Sequence, residues 1–182
     1  MRNFNLKQLF ITVFALLSCL SANAQYYVET GGIHYDLYPE SHTATVIGTN
    51  VWSDGTNEYS GDIVIPKAIT YNGEGFRVTR IGGNAFSGCQ NLTSIAISDN
   101  ITTIGSYAFY GCTGLTELTI PNSVITIDSY AFSGCTGLAN VNIGTGVKQI
   151  GCDVFQGCTG LTSVTIPDGV TTIDSYAFKD CI

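Results

Sequence analysis

Five copies of one nine-residue stretch decide the fold of this chain: IGGNAFSGC (residues 81–89), IGSYAFYGC (104–112), IDSYAFSGC (127–135), IGCDVFQGC (150–158) and IDSYAFKDC (173–181). Successive copies begin 23 residues apart, and no insertion interrupts them. A fixed period of this length is the sequence signature of a stacked repeat architecture. We count four full repeats in residues 81–182 and a fifth that stops after Ile182, before its second half.

The second half of each full repeat carries an apolar pattern, Leu-x-x-Ile/Leu/Val-x-Ile, at residues 92–97, 115–120, 138–143 and 161–166. The alternation at its end predicts one short β-strand per repeat, and Pro121 and Pro167 are placed to end two of these strands. A 23-residue unit cannot bury its own apolar face, so neighbouring repeats must stack. We therefore expect parallel strands along one face, joined by turns and short helical segments.

Two side chains recur at a fixed position and predict ladders through the core. The first ladder contains Phe86, Phe109, Phe132, Phe155 and Phe178, and the second contains Cys89, Cys112, Cys135, Cys158 and Cys181. The cysteines form either a column of small buried side chains or disulfides between adjacent repeats, and both alternatives stay open. Cys152 lies outside this period and is interpreted as an unpaired thiol.

Residues 1–24 have the pattern of a signal peptide. Arg2 and Lys7 precede an apolar run, and Ala22-Asn23-Ala24 is a signal-peptidase pattern, which predicts cleavage after Ala24. The apolar run is about half as long as the roughly 20 residues that cross a bilayer, so an integral membrane segment is not expected. An alternative is a lipoprotein acylated at Cys19, and either route exports the chain.

Residues 25–80 are expected to form an amino-terminal cap. Residues 33–38 and 43–47 alternate around the Pro39-Glu40-Ser41-His42 turn, which predicts a β-hairpin that shields the end of the stack. Ile63-x-Ile65-Pro66 copies the strand of a repeat and is interpreted as a degenerate first repeat. His34 and His42 are expected to be exposed beside the turn.

Charge and motifs exclude several classes of function. The formal net charge is −7 and charged residues make up 12% of the chain, so no basic cluster is available for nucleic acid. The sequence holds no nucleophile elbow, phosphate-binding loop or dinucleotide fingerprint, and its cysteines lack the spacing of a metal site. We expect no catalytic residue, metal or cofactor, and Asp128 and Asp174 fit turns better than an acid/base pair.

The residues that point outward from the predicted strands are the first candidate for binding a partner. They are small and mostly polar, and we call them the strand face: Ser94, Ala96, Glu117, Thr119, Asn140, Asn142, Ser163 and Thr165. A second candidate surface consists of aromatic residues at another position of the repeat: Tyr107, Tyr130 and Tyr176, with Tyr110 beside them. Partial burial between the turns is the alternative interpretation of these tyrosines.

The repeat, from CTGLTELTIP at residues 112–121 to IDSYAFSGC at 127–135, resembles the BspA-like, treponemal-type leucine-rich repeat family. This resemblance covers residues 81–182, and residues 59–80 are similar to the segment that precedes such repeats. It implies an exported, non-enzymatic protein, secreted or at the cell surface, that mediates adhesion or binds an extracellular or host protein. The competing hypothesis is a truncated or self-assembling structural fragment without its own ligand, whose uncapped carboxyl end associates with another chain.

Overall fold

The computed structural model describes residues 26–49 and 58–181. The expected signal peptide at 1–24, its cleavage site and Cys19 lie outside the described residues, so these expectations stay predictions. Within the described residues, no helix is long and apolar enough to span a membrane.

The amino-terminal region opens with three antiparallel strands, β1 (Tyr26–Thr30), β2 (Ile33–Tyr38) and β3 (Thr43–Ile47). A short 3-10 helix, Pro39–Ser41, joins β2 to β3. The predicted hairpin of β2 and β3 is confirmed, and β1 is an additional strand that was not predicted. His42 is exposed as expected, but the expectation for His34 is wrong because this residue lies within β2 and is partly buried.

Three further strands connect this hairpin to the repeats: β4 (Gly61–Val64), β5 (Ala68–Tyr71) and β6 (Glu74–Ile81). β5 and β6 form a second antiparallel hairpin, and β6 pairs in parallel with β3. β4 pairs in parallel with the first strand of the repeats, with Ile63 opposite Ile95. The segment around Ile63 therefore stacks on the array as a repeat strand does.

Each of the first three repeats contributes two strands, which makes the expectation of one strand per repeat wrong. The longer strands, which carry the strand face, are β7 (Leu92–Ala96), β9 (Glu117–Ile120) and β11 (Asn140–Ile143). The shorter strands, of two residues each, are β8 (Thr103–Ile104), β10 (Thr126–Ile127), β12 (Gln149–Ile150) and, in the last repeat, β13 (Thr172–Ile173). These short strands continue the amino-terminal strands in one nine-stranded sheet of the described residues, with the order β1-β2-β3-β6-β8-β10-β12-β13 and β5 paired to β6.

The Ala-Phe-x-x-Cys stretch forms turns, so the expectation of short helical segments is wrong. Successive backbone amides of this stretch donate alternately to a carbonyl of the same turn and to a carbonyl of the next repeat. In the first repeat Ala85 N and Cys89 N donate to carbonyls three residues back, whereas Phe86 N donates to Ala108 O of the next repeat at 2.7 Å. A helix would use every amide within its own segment, and here half of them hold neighbouring repeats together.

The core confirms the predicted phenylalanine ladder. The rings of Phe86, Phe109, Phe132, Phe155 and Phe178 are stacked nearly parallel, with centroids 4.9 to 5.4 Å apart. Tyr59 extends this column on the amino-terminal side, 4.8 Å from Phe86. Its hydroxyl donates to Ile47 O and accepts from His34 N, both at 2.9 Å. Tyr59 thus adds a ring to the column and ties it to the hairpin.

Candidate binding surfaces

The strand face lies on the surface, and strand pairing aligns its residues into two rows. All eight residues of the strand face are exposed. In the register of β9 and β11, Glu117 lies opposite Asn140 and Thr119 lies opposite Asn142. A bridge from Asn142 to Thr165 continues the second row into the next repeat.

Six residues of the strand face surround one shallow, open depression of about 260 Å³. Its polar lining consists of Glu117, Thr119, Asn140, Asn142, Ser163 and Thr165, and Leu118, Val141 and Val164 form the remainder. Glu117 carries the single formal charge of this lining. The depression therefore offers carboxylate, amide and hydroxyl groups to a partner and suits hydrogen bonding over a broad contact.

Ser94 and Ala96 do not line this depression. They lie on β7, which pairs with β4 in a two-stranded sheet separate from the β9–β11 sheet. The predicted strand face is thus divided into two parts, which the repeat alone does not indicate.

Asp62 and Val64, which were not predicted, extend the amino-terminal part of this surface. They lie opposite Ser94 and Ala96 in the register of β4 and β7. Asp62 Oδ1 accepts hydrogen bonds from Ser94 Oγ at 2.7 Å and Thr93 Oγ1 at 2.8 Å. These bonds stabilise the carboxylate and lower the pKa of Asp62. The alternation in Asp62-Ile63-Val64 is the signal that could have placed them there.

The second sheet carries another outward row that was not predicted: Arg80, Thr103, Thr126, Gln149 and Thr172 are aligned by parallel pairing. Arg80 Nη2 lies 3.5 Å from Asp128 Oδ2, and Gln149 Nε2 donates to Asp174 Oδ2 at 3.1 Å. Asp128 and Asp174 each follow a short strand. Asp174 binds a side chain of the adjacent short strand, whereas Arg80 reaches Asp128 across the intervening strand β8. These contacts give both carboxylates a structural role.

Three of the four candidate tyrosines, Tyr107, Tyr110 and Tyr130, lie near one another along the turns. The rings of Tyr107 and Tyr130 stack at 4.8 Å, and Tyr110 meets Tyr107 at 5.7 Å with a 63° angle between the rings. Tyr107, Tyr110 and Tyr176 are exposed, and Tyr130 is half-buried. A hydrogen bond to Asp153 raises the pKa of Tyr130. Asp153 occupies the fourth repeat at the same position, so it separates Tyr130 from Tyr176.

The cysteine ladder is a column of thiols in this structure. Cys89, Cys112, Cys135 and Cys158 are buried, whereas Cys152 and Cys181 are half-buried. Burial raises the pKa of Cys89 and of Cys158 to about 12, which keeps these thiols protonated. Among the described residues, no group of three or more His, Cys, Asp or Glu side chains could hold a metal ion.

The last described repeat is less covered than the others. Ile173 is 49% exposed, whereas Ile104, Ile127 and Ile150 at the same position are fully buried. Phe178 and Val170 are likewise only partly buried. The apolar side chains of this repeat are therefore more exposed than their counterparts in the earlier repeats.

Taken together, the 23-residue period, the parallel strands and the stacked core define a leucine-rich repeat solenoid. The model of the BspA type leucine-rich repeat region matches residues 69–182 with six copies. The chain therefore belongs to the BspA-type leucine-rich repeat family. The match counts six copies and begins before Ile81, whereas we counted five copies from that residue. Proteins of this type are generally surface proteins involved in protein binding, and the family is typically non-enzymatic.

Solved structures with the same fold come from several bacteria. The chain is similar to a leucine-rich repeat protein of T. pallidum, with a TM-score of 0.71 and 28% identity over 85% of this chain and 67% of that one. A leucine-rich repeat protein of Bacteroides ovatus matches with a TM-score of 0.70 and 34% identity over 80% of this chain and 37% of that one.

A leucine-rich cell surface protein of Faecalibacterium prausnitzii matches with a TM-score of 0.61 and 28% identity, over 87% of this chain and 47% of that one. This chain thus spans less than half the length of the Bacteroides and Faecalibacterium proteins. No curated protein matches it.

Proposed function

We propose that this chain is an exported, non-enzymatic module that mediates adhesion by binding an extracellular or host protein through its strand face. The observation that carries the proposal is the shallow depression that joins Glu117, Asn140 and Asn142 with three hydroxyl side chains. Protein binding is general in the family to which the chain belongs. Repeat proteins bind partners over continuous surfaces of this kind.

The test introduces three large charged side chains into the depression: Glu117→Arg, Asn140→Arg and Asn142→Arg together. All three positions are exposed, so we expect the fold to survive and capture of the partner to be lost. Binding is measured against a panel of purified, immobilised extracellular and cell-surface proteins, and folding is checked by circular dichroism.

A matched control variant places three arginines at Thr113, Thr136 and Thr159. These residues are exposed at one position of the repeat and do not line the depression. Capture by the control but not by the depression variant supports the proposal. Equal capture by both variants would move the site elsewhere, and no capture of any panel member by the original chain would count against protein binding.

A second candidate function, self-association, is favoured by the exposed apolar residues of the last described repeat. Apolar surface of this kind invites contact with another copy. We expect concentration-dependent dimers or larger species in size-exclusion chromatography with light scattering, and Ile173→Lys should return the chain to a monomer. A monomer at all concentrations would contradict this candidate and leave the strand-face proposal intact.

A further inference from the structure

Three adjacent tyrosines, Tyr107, Tyr110 and Tyr130, form a compact aromatic surface away from the strand face, which we call the tyrosine cluster. Tyr107 is 37% exposed and Tyr110 is 46% exposed, although both rings contact other rings. Aromatic residues with exposed rings are enriched in binding interfaces, where they supply much of the affinity. The cluster is therefore a candidate surface in its own right.

Two tyrosines of the cluster have an unfavourable backbone conformation. Tyr107 and Tyr130 have φ angles of 59° and 60°, in the left-handed region that bulky residues rarely adopt. The equivalent residues of two other repeats are Asn84 and Asp153, with φ angles of 56° and 55°. Asn and Asp tolerate this conformation best. A tyrosine at this position therefore strains the backbone. Such strain is concentrated at functional sites.

The last repeat shows which chemical group such a tyrosine attracts. Tyr176 occupies the position of Tyr107, and Lys179 Nζ lies 5.4 Å from the centre of its ring. An ammonium or guanidinium group at this distance is attracted by the electron-rich face of the ring. In the second repeat, Tyr110 occupies the position of Lys179. There the chain supplies a second ring in place of the cation.

Charge in and around the cluster also favours a cation. The carboxylate of Asp153 is buried and is hydrogen-bonded to Tyr130. The chain as a whole carries a formal net charge of −7, which attracts basic partners over a longer range.

We propose that the tyrosine cluster is a second binding surface that takes a cationic side chain, an arginine guanidinium or a lysine ammonium, of a partner protein. The cation contacts the exposed parts of the Tyr107 and Tyr110 rings, and the attraction is of the same kind as that between Lys179 and the ring of Tyr176. This surface is separate from the depression around Glu117, so its test is independent of the strand-face proposal.

The probe is a short peptide, acetyl-(Arg-Gly)3-amide, compared with the same peptide in which citrulline replaces arginine. Citrulline keeps the shape of arginine and removes its charge. Binding is followed by nuclear magnetic resonance of the tyrosine ring protons. We expect the arginine peptide to shift the signals of Tyr107, Tyr110 and Tyr130, and the citrulline peptide to leave them in place.

The test variant is Tyr107→Asn with Tyr110→Ser, which gives the second repeat the residues that the first repeat carries at Asn84 and Ser87. Because the fold already accommodates them there, we expect the variant to remain folded. Its Kd for the arginine peptide should rise roughly fivefold or more, since each lost ring contributes about a two- to fivefold factor.

Two control variants make the result specific. In Tyr176→Asn a tyrosine that already contacts Lys179 is removed, and Glu117→Gln removes the charge of the depression. Neither should change the Kd of the arginine peptide by more than about twofold, because neither touches the cluster. A larger effect of Glu117→Gln than of the double variant would show that the peptide binds the strand face, and the inference would be wrong.

Two further results would also overturn the inference. One is an unchanged Kd in the double variant, which would assign binding to general charge attraction. The other is cluster-dependent binding to phosphatidylcholine vesicles without binding of the arginine peptide. That result would assign the cluster to a lipid headgroup and exclude a protein side chain as its ligand.

Discussion

At the scale of single residues, the cysteine ladder has a role beyond filling space. Cys135 Sγ donates to Phe109 O of the preceding repeat at 3.1 Å, and Cys112, Cys158 and Cys181 make the same bond at 3.1 to 3.2 Å. A thiol is apolar enough to be buried and still donates weakly. The ladder thus gives a carbonyl that already accepts a backbone amide, such as Cys112 N at Phe109 O, a second donor from the next repeat.

Cys135→Ala tests this role. The variant loses the thiol, leaves the carbonyl of Phe109 without that donor and opens a small cavity, so we expect unfolding to become easier by about 1–3 kcal/mol. Urea unfolding measures the change. The control is Cys152→Ala, at a half-buried cysteine outside the ladder, which should cost less than about 0.5 kcal/mol. Equal costs at the two positions would contradict a specific role for the ladder.

At the scale of elements, the long strands could be predicted and the short ones could not. β9 and β11 follow from the alternation of apolar residues, and that alternation also identified the outward residues of the strand face. A strand of two residues, such as β10, has no period of its own. It forms because Thr126 N donates to Thr102 O of the preceding repeat and Ile127 O accepts a hydrogen bond from Gly151 N of the next repeat.

The turn after each short strand was mistaken for helix for a related reason. Hydrogen bonds between residues three apart occur both in such turns and in helical turns. Only the stacked neighbour decides where the remaining amides bond.

The stacking of repeats also requires glycine where two backbones approach closely. A Cβ at Gly137 would lie 2.3 Å from Thr113 O of the preceding repeat, so close approach of backbones requires glycine there.

Some features of the candidate surfaces could also be predicted from the sequence, and others could not. The sequence identified Glu117, Asn140 and the tyrosines, because their positions repeat with the period. The break between β7 and β9 and the depression depend on how neighbouring strands lie in three dimensions, which no single repeat encodes. Likewise, His34 Nδ1 is hydrogen-bonded to the hydroxyl of Tyr27, and His34 Nε2 lies 3.6 Å from Glu29 Oε2. Both contacts depend on strand β1, which was not predicted.

At the scale of the whole molecule, one sheet and one aromatic column run from the cap to the last described repeat. The sheet joins β1 to β13 through the parallel short strands, and the column runs from Tyr59 to Phe178. Each repeat contacts mainly its two neighbours, so stability is close to a sum over repeats and interfaces. The position of a residue along the stack should then decide how far its substitution lowers the free energy of unfolding.

Phe132→Ala and Phe178→Ala make the same chemical change at two positions of the column. Phe132 is fully buried between rings 5.1 and 5.4 Å away, whereas Phe178 is half-buried with Phe155 as its stacked neighbour. We expect Phe132→Ala to cost about 3–5 kcal/mol. Phe178→Ala should cost less, because its ring buries less area and its loss leaves both interfaces of the third repeat intact.

Urea unfolding gives the two free energies, and hydrogen exchange shows where protection is lost. For Phe132→Ala the loss should extend over the repeats on both sides, since the column is broken in the middle and each half keeps fewer interfaces. For Phe178→Ala it should stay within the last repeat. If both variants lower the free energy of unfolding equally and lose protection over the same repeats, the array unfolds as one unit and the position of a residue along it does not matter.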